Sequence, residues 1–476
     1  MVLRSMVTTR LPRAAHSIHL RHGRALAAGL LALLVLAAPA AAQPLRTGIT
    51  DPLEPAFGEH DPDAAYGAVR DAGGTIILVP VFWVSTTNGP PREPTNPGDR
   101  AYLWRSLDDR IARMTAAGLE PLLAVSAAPL WARTHAPDGR SRVTPNPSDL
   151  AAFVTALARR YDGGAHPRVR LFQVWNEPNL KTYMDQDGAP ADYRAMLAAA
   201  YPAIHAVHDD NVVVAAGTAP FAGPDGRYGV GPLKFMRELL SERTEFDVWA
   251  HHPYTSGPPA RRATVKDDAS IGDLPALRRI LRRAQRADRA RSARIWATEF
   301  SWDSTPPDPF AVPLREHARW VAESFFRMWA NGVELVVWFQ LRDNPKGTFT
   351  WAQTFQSGLY MRTTDRYADE KAKPALRAFR FPFVALPAGR GVRVWGRTPG
   401  SGRAKVVVER RVRGRWRRVA TLRADGDGIF TRRLRGLHGA RLRARIGGDA
   451  SLPFAARKTR NRFVNPFGGS ELPPNG

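Results

Sequence analysis

Eight apolar runs recur along this 476-residue chain, at 45–50, 75–84, 121–126, 169–176, 211–217, 246–252, 294–300 and 333–340. Their centres are continuous stretches of Val, Ile and Leu, the pattern of strands buried on both faces of a parallel sheet. Amphipathic stretches of helical period lie between them, at 103–117, 149–161, 193–207, 233–241, 274–290 and 316–330, with a last one at 374–379. Turn signals sit where those helices should end, at Gly118, at Gly163-Gly164 and at Asn331-Gly332. Eight such units predict an α/β fold, a (β/α)8 TIM barrel over residues 43–383. A doubly wound sheet would also alternate, but no Gly-rich phosphate loop follows the first run, so nucleotide binding gains no support.

After about residue 384 the period changes. Short alternating runs at 391–396, 404–412, 415–422, 428–434 and 440–446 are separated by Gly, Asp and Pro clusters. They predict a small C-terminal antiparallel β-sandwich over 384–460. Residues 461–476, rich in Asn, Gly and Pro, read as a disordered tail. At the other end, five arginines precede the apolar stretch from Ala25 to Ala38, and small residues lead to Ala42. That is a secretory signal over 1–42, cut after Ala42, and it implies an extracellular, cell-wall or periplasmic address. The stretch is shorter than the ~20 residues a spanning helix needs, and no other segment is apolar enough, so no membrane span is expected.

The chain has no cysteine, which excludes thiol catalysis and Cys-ligated zinc. No HExxH or similar triad occurs, so neither a metal nor another cofactor is expected. The net charge of +25 is unevenly placed. Residues 1–42 hold five Arg and no acid, and from Val384 onward 22 Lys and Arg face five acids, so the middle carries only +3. The run from Glu409 to Arg418 alternates Arg with Val or Trp, as a half-buried strand with a solvated face does. It is expected to pack on the barrel, with contact to an anionic cell-wall polymer as the second reading. Nucleic acid is set aside because a secreted chain is remote from it.

Chemistry in a barrel sits at the C-terminal strand ends. The fourth run ends in Trp175-Asn176-Glu177-Pro178, where proline should stop the ladder. The sixth ends in His251-His252-Pro253-Tyr254, the seventh in Thr298-Glu299-Phe300 and the eighth in Trp338-Phe339-Gln340. Two carboxylates with imidazole, phenol, amide and indole groups on one rim suit a sugar. Strand alternation puts His252 and Tyr254 on one face and His251 on the other. Trp83 and Trp131 are candidate sugar platforms at the second and third strand ends, and Trp302 divides evenly between platform and core.

The motif Trp175-Asn176-Glu177-Pro178-Asn179 with Glu299 and His252-Pro253-Tyr254 resembles clan A retaining glycoside hydrolases over residues 45–380. The resemblance implies an O-glycosyl hydrolase with a carbohydrate substrate. Glu177 would be the acid/base and Glu299 the nucleophile, with Asn176 on the sugar 2-hydroxyl. His252 and Tyr254 would orient Glu299 or bind substrate, and Trp338 would floor the subsite beside the scissile bond. No Arg ends the second run, as family 5 cellulase-like members usually show, while Pro129-Leu130-Trp131 looks more like family 39. A non-catalytic carbohydrate-binding protein and a transglycosylase remain open alternatives.

Overall fold

The computed structural model describes residues 44–50, 61–136, 138–345, 347, 349–364, 366–400 and 402–467. The expected leader, 1–42, lies outside the described residues, as does 468–476 of the expected tail.

Eight parallel strands close a barrel: β1 (Arg46–Thr50), β2 (Ile76–Phe82), β3 (Glu120–Ser126), β4 (Leu171–Val174), β5 (Val212–Thr218), β6 (Val248–His251), β7 (Ile295–Phe300) and β8 (Val333–Trp338). Each pairs with its sequence neighbours, and β8 closes on β1 with Arg46 opposite Leu335. The interior is filled by side chains of alternating positions, among them Leu78, Leu122, Leu171, Val214, Trp296 and Val337, so the barrel is a packed core rather than a pore. Gly48 of β1 is required by packing, because a Cβ there would stand 2.9 Å from the Ile76 carbonyl oxygen.

Helices α1 (Pro62–Asp71), α2 (Arg105–Ala116), α3 (Pro147–Arg160), α4 (Ala189–His205), α5 (Pro232–Leu239), α6 (Leu274–Arg286), α7 (Leu314–Ala330) and α8 (Pro374–Arg380) form the outer layer. Two start on a proline behind a capping side chain: Asn146 accepts from Ser148 and Asp149 before α3, and Asp61 from Ala64 before α1. The expected glycines end helices in left-handed geometry, Gly118 at φ 76 and Gly332 at φ 81. Helix α1 was not anticipated from the sequence. Its Pro62-Asp63 start and Ala-rich body carry few large apolar residues.

Antiparallel strands follow directly on α8. A three-stranded sheet joins β9 (Phe383–Ala388), β10 (Gly391–Arg397) and β13 (Ile429–Arg435). A second joins β11 (Lys405–Val412), β12 (Arg415–Arg423) and β14 (Arg441–Ile446) with two short strands, β15 (Asp449–Ala450) and β16 (Phe454–Ala455). Strand β9 is an addition to the expected set. Its run Phe383-Val384-Ala385-Leu386 follows α8 after only Phe381 and the helix-stopping Pro382, so the module starts at the last residue given to the barrel. The sheets pack on α7, where Trp395 of β10 meets Phe326 and Trp329 at 5.7 and 5.6 Å between ring centroids.

One expectation is corrected. Residues 461–467 are not a disordered tail: Val464 and Pro466 are buried, and the Pro466 carbonyl accepts the Asp303 N–H at 2.8 Å. Their Asn and Pro content suggested chain without a core of its own, and the barrel supplies one.

Candidate active site

Strand β4 stops as its sequence requires, and the next three residues turn sharply. Trp175 and Glu177 both adopt left-handed backbone, at φ 73 and 44, on either side of Asn176. Ala216, at the end of neighbouring β5, does the same at φ 76. Such conformations cost about 1–3 kcal/mol each and persist where the surroundings enforce them. Here the surroundings are explicit. The Glu177 N–H donates to the Gly217 carbonyl at 3.1 Å, and the Tyr193 hydroxyl bridges the Val174 carbonyl and the Ala216 N–H, at 2.5 Å each. Buried Asn179 donates to the carbonyls of Ala219 and Val230 and accepts from the Ala219 N–H, clamping the β4 loop to the β5 loop.

Two strand irregularities aim the remaining groups. Between Ala297 and Phe300, β7 carries one residue more than β8 has between Val336 and Trp338. The extra residue resets the alternation, so Ala297 and Phe300 both face the helices while Glu299 is released to the mouth. Strand β5 holds a similar extra residue, Gly217, opposite the Ala250–His251 step of β6. A Cβ on Gly217 would lie 2.7 Å from Gln173 Nε2 and 2.8 Å from His252 Nε2, so only glycine fits against the imidazole.

The two glutamates meet at His252. Its Nδ1 donates to Glu177 Oε1 at 2.9 Å and stands 3.7 Å from Glu299 Oε2. The ring is fully buried, whereas the Glu177 and Glu299 side chains keep 14% and 19% of their surface exposed. Burial opposes charge on the imidazole, but the Glu299 carboxylate and the bond to Glu177 outweigh it and hold its pKa above the ordinary histidine value. Tyr254 donates its hydroxyl to Glu299 Oε2 at 3.2 Å. Burial first, then the charge of both glutamates, pushes its pKa well above 10, so it remains a phenol that donates. His251 points the other way, between the Thr218 hydroxyl (2.9 Å) and the Ala269 carbonyl (2.8 Å), and burial lowers its pKa to about 4. A neutral ring donating from Nε2 to that carbonyl satisfies both contacts.

The sugar platforms fare differently. Trp338 is fully buried, packs on Phe300, Trp302 and His317, and gives its indole N–H to the Ser357 carbonyl at 2.9 Å. It shares the outward face of β8 with Val336 and cannot floor a subsite. Trp83 is likewise core, stacked on Phe153 at 4.8 Å. Trp302 resolves as core too, its N–H bound to the Thr255 carbonyl. Trp131 stays half-exposed, edge-on to Trp83, and no contact joins it to the glutamates among the described residues. Asn176 sits partly exposed beside Glu177 at the mouth.

The mouth-side aromatics are the sequence neighbours of Trp83 and Trp338. Phe82 continues the inward positions Ile76 and Leu78 and is 41% exposed. Phe339 follows Leu335 and Val337 and meets Phe355 edge-on at 5.0 Å. Counting alternate residues from the apolar core would have found both.

No protein-family model matches this chain, and no curated protein does. Among solved structures, a family 39 glycoside hydrolase from the gut symbiont Bacteroides cellulosilyticus WH2 aligns over 83% of this chain and 79% of its own, with 18% identity and a TM-score of 0.52. The two share a fold. A glucosidase from Croceicoccus marinus aligns over 83% of this chain and 93% of its own at 14% identity, with a TM-score of 0.48.

The burial of Trp338 has a measurable consequence. Trp338→Ala should destabilise the protein by about 3–5 kcal/mol, read as a fall in the urea midpoint, because a large core side chain leaves a cavity. A variant with unchanged midpoint and altered substrate affinity would return Trp338 to the cleft.

Proposed function

We propose that this chain is a retaining O-glycosyl hydrolase in which Glu177 is the acid/base and Glu299 the nucleophile. The observation that carries the reading is the meeting of both carboxylates at one nitrogen of His252. Contacts of 2.9 and 3.7 Å to a single atom bring the two carboxylates close together, which supports the ~5–5.5 Å separation of a double displacement over the wider gap that an inverting enzyme needs for water. Glu299 attacks the anomeric carbon while Glu177 protonates the departing oxygen. Glu177 then takes a proton from the water that releases the sugar. His252 orients the Glu177 carboxyl through its Nδ1 contact, and Tyr254 supports the negative charge of Glu299 before attack. Asn176, next to the acid/base, binds the sugar 2-hydroxyl in this reading, as the resemblance implies. Pro129-Leu130-Trp131 and the shared fold favour a family 39-like enzyme acting on an oligo- or polysaccharide, exported by the leader at 1–42.

The basic module adds a polymer contact. The β11–β12 hairpin exposes Arg410, Arg411, Arg413, Arg415, Arg417 and Arg418, and among the described residues no carboxylate pairs with them. Arg410 lies directly opposite Arg417 in the ladder, a like-charge pairing that is unfavourable until an anion covers it. An acidic glycan fits that surface.

Two experiments test these assignments. Glu299→Ala should abolish hydrolysis, and added azide should then yield a glycosyl azide of inverted configuration; Glu177→Ala should slow poor leaving groups far more than activated aryl glycosides. Hydrolysis surviving in Glu299→Ala rejects the assignment. Changing Arg410, Arg413, Arg417 and Arg418 to Gln should remove salt-sensitive retention on an immobilised acidic polysaccharide, with aryl glycoside turnover unchanged. Wild-type protein flowing through such a column at low salt sinks the polymer contact.

A further inference from the structure

Beyond β16 the chain returns to the catalytic rim along a series of anchors. Arg319 of α7 donates to the carbonyls of Ala455 and Arg457 at 3.0 and 2.7 Å, and Thr459 donates to Glu323 at 2.6 Å. Arg462 pairs with Glu316 at 2.7 Å. Its carbonyl lies so close to Gly257, three residues past Tyr254, that a Cβ there would stand 2.3 Å from the oxygen. Gly257 is therefore a seat for the returning segment. The Pro466 carbonyl then accepts the N–H of Asp303, four residues past Glu299. Phe467 ends the described chain with its ring 4.8 Å from Tyr254, 6.4 Å from Phe221 and 6.1 Å from Phe355 between centroids. Those three rings come from the loops after β6, β5 and β8.

We propose that residues 461–467 form a wall of the catalytic cleft, and that Phe467 is a positioning residue that holds Tyr254 against Glu299. This rests on Glu299 being the nucleophile. Tyr254 has one polar atom, its hydroxyl, and that atom is spent on the Glu299 carboxylate. The ring behind it has to be kept in place by packing alone. Phe467 supplies that packing at a tilt of 50°, and in turn rests on Phe221 and Phe355, so the phenol is wedged among rings from three loops. Removing the Phe467 ring opens space beside Tyr254, lets the phenol turn away and admits water to the nucleophile. The loss falls on the chemical step, because the hydrogen bond at stake is to the reacting carboxylate. The module at 383–460 thus acts on the barrel through the segment it sends back, and the wall it builds presents apolar ring surface to a sugar.

The test compares Phe467→Ala with Phe467→Leu, which keeps apolar bulk. Phe467→Ala should lower kcat on an aryl glycoside about tenfold, the scale of one hydrogen bond to a charged group, with KM changed less and the thermal midpoint nearly kept. Phe467→Leu should recover most of it. Amide exchange over 252–257 should quicken in the alanine variant and not in the leucine one. If Phe467→Ala does not fold, Arg462→Gln loosens the same segment at its Glu316 anchor and should shift kcat and exchange in the same direction. Wild-type kcat together with wild-type exchange in Phe467→Ala overturns the proposal. A wild-type protein inactive on every glycoside would instead overturn the hydrolase reading, and the exchange measurement would still decide whether Phe467 holds the Tyr254 loop.

Discussion

Bringing two carboxylates to one buried imidazole is the constraint on which the rest of this mouth depends. A fully buried ring that carries charge is unfavourable unless opposite charge adjoins it. His252 has Glu177 on its Nδ1 and Glu299 close by, and each glutamate is in turn fixed from behind. The backbone of Glu177 is tied to Gly217, and the carboxylate of Glu299 is tied to Tyr254. Were either glutamate removed, the imidazole would lose much of what supports its proton. The charge of the imidazole therefore depends on both glutamates at once, and the site is a unit rather than a set of independent acids.

That unit is reached by departures from regular strand geometry. Left-handed Trp175 and Glu177 turn the end of β4, an extra residue in β7 frees Glu299 from the helix-facing side, and an extra residue in β5 puts Gly217 under the imidazole. Strain and bulges at the three strand ends that carry the site mark where the fold has been shaped for something other than stability.

The barrel itself was legible because buried parallel strands write themselves as continuous apolar runs, and helix ends announce themselves through Gly118 and Gly332. The residues at the strand tips were harder. His252 and Tyr254 share one face because they stand two residues apart. The same parity turns Trp83 and Trp338 to the helix-facing side, and the rim-facing neighbours are Phe82 and Phe339. The bulge in β7 cannot be read from Ile295–Phe300, since it is a property of pairing with β8. Phe467 left no local signal at all. It lies more than 160 residues from Glu299 in sequence, in a segment with nothing periodic about it, and reaches Tyr254 through anchors on α7 that only the folded chain brings together.

The assignment of Glu299 is the central claim, and a covalent label tests it most directly. Incubation with an activated 2-deoxy-2-fluoroglycoside, which forms the glycosyl-enzyme quickly and releases it slowly, should add one sugar to the intact mass. The label should map to the peptide containing Glu299 and be absent from Glu299→Ala. A sugar found on another residue, or turnover of the parent aryl glycoside with inversion at the anomeric carbon, would contradict the account.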